Sequence, residues 1–183
     1  MIEWALVAFA VVVLLWVGWT FNRLIRLRNR TRAGWSDIDV QLQRRHDLIP
    51  KLVDAVSAYA RFEQTTLTTV TELRTLSERA DNPADKAAAE EQIESLARQL
   101  IAIAEDYPDL KANQNFLSLQ QELSNTEDLL QYARRFYNGA VREFNTRLES
   151  FPDLLVAGVF GFRPRRFFTA EADAARPVEV RFS

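Results

Sequence analysis

One histidine and a scatter of carboxylates are the only side chains in this sequence whose types and spacing could do chemistry. His46 closes the run Arg44-Arg45-His46 and precedes Asp47, in a chain with 25 acids and no cysteine. A carboxylate di-iron centre draws a Glu from each of two helices and a Glu-x-x-His from each of two more, all facing inward. With a single His, and Gln at position 43, that set cannot be built. A hard cation needs only oxygen ligands, which Asp37 with Asp39, or Glu105, Asp106 and Asp109, would supply. Acids in such positions are far more often caps and solvated surface. A lone His at a helix end supports no Ser-His-Asp arrangement, and five glycines form no phosphate loop. The absence of Cys removes thiolate catalysis, disulfides and a lipid-modified cysteine. The expectation is a protein that is not an enzyme, with no catalytic residue, cofactor or metal.

The remaining polar residues of interest ask for partners rather than substrates. Asn113, Asn115, Asn125, Glu127, Arg134, Asn138 and Asn145 fall in one late helical stretch. Asn is a poor helix former, so this density predicts interhelical hydrogen bonds that fix register. Together with Trp35, Asp37, Asp39, Arg44, Arg45, His46, Asp47, Pro50, Tyr107, Pro108, Asp109 and Tyr137, these are the expected structural or partner-facing residues.

The elements that must position them are helices. Ile2 to Phe21 carries one charge, Glu3, and at 1.5 Å per residue spans roughly 30 Å, a bilayer's hydrocarbon thickness. Trp4 near one end and Trp16 and Trp19 near the other occupy interfacial positions. A cleavable signal peptide would want a basic leader, a shorter apolar run and a small-residue cleavage site, none of which is present. Arg23, Arg26, Arg28, Arg30 and Arg32 follow the span and resist translocation, so the expected topology is single-pass with the amino terminus outside and the remainder cytoplasmic. Those arginines can also attract anionic headgroups.

Beyond the span the apolar spacing is helical throughout. Arg44, Arg45 and His46 read as cations at a helix carboxy terminus, Asp47 as an N-cap and Pro50 as a first-turn proline. Against that break, the heptad stripe Trp35, Leu42, Ile49, Val56 keeps its phase, as one kinked helix would. Burial decides for the break, because an unbroken helix would leave Trp35, Ile38 and Leu42 bare. The expected fold is all-α: a transmembrane helix (1–21), an antiparallel up-and-down four-helix bundle (22–162, with helices at about 22–46, 48–80, 83–106 and 109–150) and a loosely ordered tail (163–183). Asn82 is expected to cap the third helix, with Pro83 opening it, and Val178, Val180 and Phe182 alternate like a short strand. The apolar segment 151–168 either caps the bundle core, through Leu154, Leu155, Val159 and Phe160, or lies at a bilayer surface; capping is the preferred reading.

Net charge divides unevenly: +4 over 22–50, −7 over 51–162 and +2 over 163–183. An acidic middle argues against nucleic acid as a partner. The runs RLRNRTRAGWSDIDVQLQRRHDLIPKLVDAVSAYA (26–60), AEDYPDLKANQNFLSLQQELSNTED (104–128), ARRFYNGAVREFNTRLESFP (133–152) and VAGVFGF (156–162) closely resemble the LemA family. Two positions depart from the family pattern: Gly34, more commonly Glu or Ala, and Phe62, often His. The resemblance implies a bacterial single-pass membrane protein with a helical bundle and no established catalytic residue. It also implies membrane-associated work, including partnership with membrane metalloproteases and, in one branch, magnetosome membrane formation. The expected function is a membrane-anchored scaffold or adaptor that binds proteins or itself at the cytoplasmic face. A transmembrane signalling module is the alternative, and a metal-dependent enzyme is disfavoured.

Overall fold

A computed structural model describes residues 1–58, 64–80 and 82–169, without the side chains of 64–67. The described residues are helical with no strand: α1 (Ile2–Ser57), α2 (Gln64–Arg79), α3 (Pro83–Ala104), α4 (Pro108–Lys111), α5 (Gln114–Glu149) and α6 (Asp153–Val159). The expected strand at Val178, Val180 and Phe182, most of the tail, and Phe62 lie outside the described residues.

The expected break between residues 46 and 48 is absent, because α1 runs unbroken from Ile2 to Ser57 with Pro50 inside it. Asp47 is therefore an exposed mid-helix residue and caps nothing. Pro50 removes one backbone hydrogen bond and crowds the preceding turn, a penalty of about 3 kcal/mol. Ile49, Leu52, Val53 and Val56 are all buried on that helix, and each contributes roughly 1.5–3 kcal/mol. Burial outweighs the proline, and the phase of the stripe wins over the local stop signals. The expected 48–80 helix is instead divided, with α1 ending at Ser57 and α2 beginning at Gln64. The last expected helix is divided too. Asn113 ends the short α4 region and caps α5, its Oδ1 accepting from the backbone N–H of Asn115 (2.9 Å) and of Phe116 (3.4 Å).

The chain forms two compact units, one from 1–36 with 135–165 and the other from 37–134 with 166–183. In the second unit, α3 starts as its sequence dictates: Asn82 Oδ1 accepts from the N–H groups of Ala84 and Asp85, both at 3.0 Å, ahead of Pro83. One core gathers Ile49, Leu52, Val53 and Val56 of α1, Val70 and Leu73 of α2, Ile93, Ala97, Leu100 and Ala104 of α3, Leu110 of α4, and Phe116 and Leu123 of α5.

In the first unit, residues 1–15 of α1 are exposed on every face, although all but Glu3 are apolar. This helix is long and apolar enough to cross a membrane. A core helix of a soluble domain would bury at least one stripe. Further along, Arg30 meets Glu143 at 3.1 Å and Trp35 stacks at 5.4 Å on Tyr137. Burial pushes the Tyr137 hydroxyl's pKa up, with Arg165 opposing. Leu24, Val156 and Ala157 form a small core bordered by Trp16, Val17, Phe21, Leu148 and Phe162. The preferred capping role for Leu154, Leu155, Val159 and Phe160 fails: all four are exposed, and Val156 and Ala157 make the contact instead. Side-chain direction on a helix of about two turns decides this, which residue type alone does not.

Gly34 marks a close approach of α1 to α5. A Cβ there would lie 2.9 Å from the Phe136 ring and 3.1 Å from the Tyr137 Cα. Gly forfeits about 1 kcal/mol of helix propensity relative to Ala, so its use here reflects space. Gly34→Leu should destabilise the protein by roughly 1–3 kcal/mol, as overpacking does. Urea unfolding followed by circular dichroism in detergent would reveal it, and an unchanged midpoint would mean that the helices separate freely.

Candidate functional site

The most concentrated chemistry in the described residues is a buried polar layer in the second unit, built on core positions of three helices and one position beside them. Arg45 continues the stripe of Ile38, Leu42, Ile49 and Leu52 on α1; Ser77 follows Val70 and Leu73 on α2; Glu90 precedes Ile93, Ala97 and Leu100 on α3. Glu127 on α5 adjoins buried Thr126. Helical periodicity thus points three polar side chains, Arg45, Ser77 and Glu90, to where apolar ones would ordinarily sit.

Glu90 is the centre, with no solvent exposure. Its Oε1 pairs with His46 Nε2 at 2.7 Å and accepts from the Ser77 hydroxyl, and its Oε2 accepts from Arg45 Nη1 at 3.0 Å. The same Nη1 donates to the Glu90 carbonyl at 3.2 Å. Arg45, also unexposed, turns its other edge to Glu127, donating from Nε at 2.7 Å and from Nη2, with Glu94 at 3.6 Å. Glu94 in turn meets Arg98 at 3.1 Å. Burial alone would raise the Glu90 pKa; hydrogen bonds from His46 and Ser77 and the charges of His46 and Arg45 outweigh it and hold the carboxyl below its ordinary value. Arg134 stands 5.1 Å over the Phe168 ring. Its pKa is lowered by burial first and by Arg45 second, against the pull of Glu94, Glu127 and Glu90.

This arrangement can fix helices but offers little to a substrate. Every Glu90 oxygen has a donor, and the arginine at the centre repels a cation. Among the described residues no group of three or more His, Cys, Asp or Glu could hold a metal ion. Asp39 pairs with Lys86 at 2.8 Å, Asp37 is exposed, and Glu105, Asp106 and Asp109 are exposed around the start of α4. Tyr107 occupies the N-cap position of α4, and Pro108 opens it.

Arg45 and His46 were expected as helix-end cations. They are buried partners of Glu90 instead, because α1 does not end there. Of the late asparagines, Asn113 caps, Asn125 accepts from Gln121 one turn away at 3.0 Å, and Asn145 joins the backbone of Arg165 through two bonds of 2.8 Å. None of these bonds links two helices: those of Asn113 and Asn145 are to backbone, and that of Asn125 is to a side chain of its own helix. Asn115 is exposed and Asn138 half-buried. Trp4 and Trp19 are exposed on α1 and Trp16 is half-buried. Arg23 stacks over Trp19 at 5.3 Å, Arg26 is exposed, and Arg28 lies 5.6 Å over Phe162. Arg44 and Asp47 line an open groove of the second unit with Leu48, Glu122, Asn125, Thr126 and Leu129.

The LemA family model matches residues 34–182. The chain belongs to the LemA family. Protein LemA of Metamycoplasma hominis is 32% identical over 71% of this chain and 60% of its own length, so this chain spans less than two thirds of that relative. Magnetosome proteins MamQ 1 and MamQ 2 of Paramagnetospirillum magneticum are each 22% identical over 95% of this chain and 72% of theirs. The matched region of this LemA protein contains the entire Arg45–Glu90–Glu127 layer.

Sequence reading missed Glu90, Ser77 and Glu94. The available signal was phase: Glu90, Ile93, Ala97, Leu100 and Ala104 lie three or four residues apart on one helical face. Breaking a buried ion pair from one side costs roughly 3–5 kcal/mol, so Glu90→Gln should lower stability by that amount at neutral pH. A depressed carboxyl pKa contributes stability that is fully present above the unfolded value, near 4.3, and is lost as pH falls through the folded value. Thermal melts of the two proteins should therefore converge on acidification below about pH 4. Melting curves separated by the same interval at every pH would show that the Glu90 charge contributes nothing.

Proposed function

We propose that this LemA protein is a membrane-anchored, non-enzymatic adaptor. The apolar part of α1 crosses the bilayer and the second unit, an up-and-down antiparallel helical bundle, meets protein partners on the cytoplasmic side. The observation that supports this best is the contrast within the second unit. Its polar layer is internally satisfied, while Leu129 and Tyr132 stand exposed on α5, Leu129 at the groove lined by Arg44 and Asp47. Aromatic and aliphatic side chains beside charges are the composition of a protein-docking patch. The arginines after the span support the cytoplasmic orientation. A membrane protease is one kind of partner that the family resemblance implies, and a second copy of the chain is another.

A photoactivatable residue at position 132, crosslinked in native membranes, should yield adducts of higher mass. Leu129→Asp should reduce them at least severalfold while leaving the melting temperature unchanged. Recovery of uncrosslinked protein alone, at every position tried along α5, would defeat the adaptor reading.

The continuity of α1 favours a second reading, a signalling module in which tilt or rotation of the span passes along one rigid helix. Insertion of one to four Ala after Arg26 rotates everything beyond by about 100° per residue. Output, read as crosslinking at position 132, should then vary with helical period; a flat response excludes this mode.

A further inference from the structure

We propose that α6, with Phe151 and Phe160 flanking it, is a second membrane contact that lies in the interfacial layer of the bilayer crossed by α1; this rests on the membrane anchoring proposed above. Val156 and Ala157 are buried on Leu24 beside Trp16 and Val17, two residues inside the apolar stretch of α1. Phe21, at the end of that stretch, packs at a tilt against Phe160, ring centroids 4.7 Å apart, and edge-on against Phe162 at 5.8 Å. Within the first unit, α6 is therefore level with the last turns of the span. A helix packed there meets lipid on whatever face it does not give to protein.

That other face is apolar. Phe151 is 78% exposed and Val159 82%, with Leu155 and Phe160 about half exposed. Each such side chain left in water forgoes roughly 1.5–3 kcal/mol of burial. Between Phe151 and Phe162 the single charge is Asp153, which is turned inward, buried, 3.7 Å from Arg147. Nothing charged on the segment opposes insertion. Where the segment ends, Arg163 and Arg165 are exposed, and Asn145 holds the Arg165 backbone to α5, donating to its carbonyl and accepting from its N–H. Arg23 and Arg26 on α1 complete a basic collar suited to anionic headgroups. An apolar face with cations at its margin is the composition of an interfacial helix.

The chain has no cysteine, so single-cysteine spin labels report unambiguously. Full-length protein labelled at Leu155 or Val159 would be reconstituted into phosphatidylethanolamine–phosphatidylglycerol vesicles, with Val11 in the span and exposed Gln131 on α5 as references. Accessibility to oxygen and to a water-soluble nickel chelate is then compared. Labels at 155 and 159 should favour oxygen, as Val11 does, with the ratio reversed from that at Gln131. Nickel preference at 155 and 159, with oxygen preference kept at Val11, overturns this inference alone. Shielding from both reagents also overturns it, because a second copy of the chain would then cover α6. Nickel preference at Val11 as well defeats the anchoring and this inference with it.

Discussion

An ionised carboxylate in the middle of a helical core is tolerable only when its desolvation is offset from several sides at once, and Glu90 meets that condition with donors from three other side chains on two other helices. Arg45 and His46 come from α1, and Ser77 from α2. Each helix is held not merely against its neighbours but at one height relative to them. Sliding α3 by a turn would move Glu90 about 5.4 Å and strand both it and Arg45. Apolar stripes cannot discriminate so sharply, because Leu against Ile is nearly as good one turn away. Buried charge is poor at adding stability compared with apolar packing. Its value lies in penalising every other register.

The same layer explains why Pro50 does not end α1. Terminating the helix near residue 47 would remove Ile49, Leu52, Val53 and Val56 from the core and turn the chain just after Arg45 and His46, whose side chains must point inward together. Adjacent residues can both reach Glu90 because it approaches from a separate helix and offers a different oxygen to each. Local signals, a cationic run followed by Asp and Pro, describe a helix end correctly as a propensity. Tertiary burial of several side chains outweighs a single missing hydrogen bond.

That contest separates what one dimension reveals from what it hides. The apolar character of Ile2 to Phe21 needs no partner to be read, and neither does the cap at Asn82 with Pro83, since both depend on neighbours in sequence. Helical spacing of the apolar residues placed helices at about 83–106 and 109–150 for the same reason. Arg45, His46 and Glu90 were obscure because each alone has an ordinary explanation as helix-end charge or solvated surface; only their convergence across helices 44 residues or more apart in sequence gives them another. A charged residue in phase with an apolar stripe was the visible clue, and it names no partner. The face of α6 was similarly hidden, since seven residues with five apolar ones do not declare which two are covered.

A fully satisfied polar layer also constrains how such a protein can act. A site that binds a small molecule keeps unsatisfied donors or acceptors facing a cavity, and Glu90 has none to spare. The polar contacts at the centre of the second unit hold its helices in one register. Because α1 carries both the bare apolar stretch and Arg45 without interruption, the helix that is long and apolar enough to cross a membrane is also the helix that supplies the buried arginine. Substitutions within the layer should therefore act through the register of the helices that meet at Glu90.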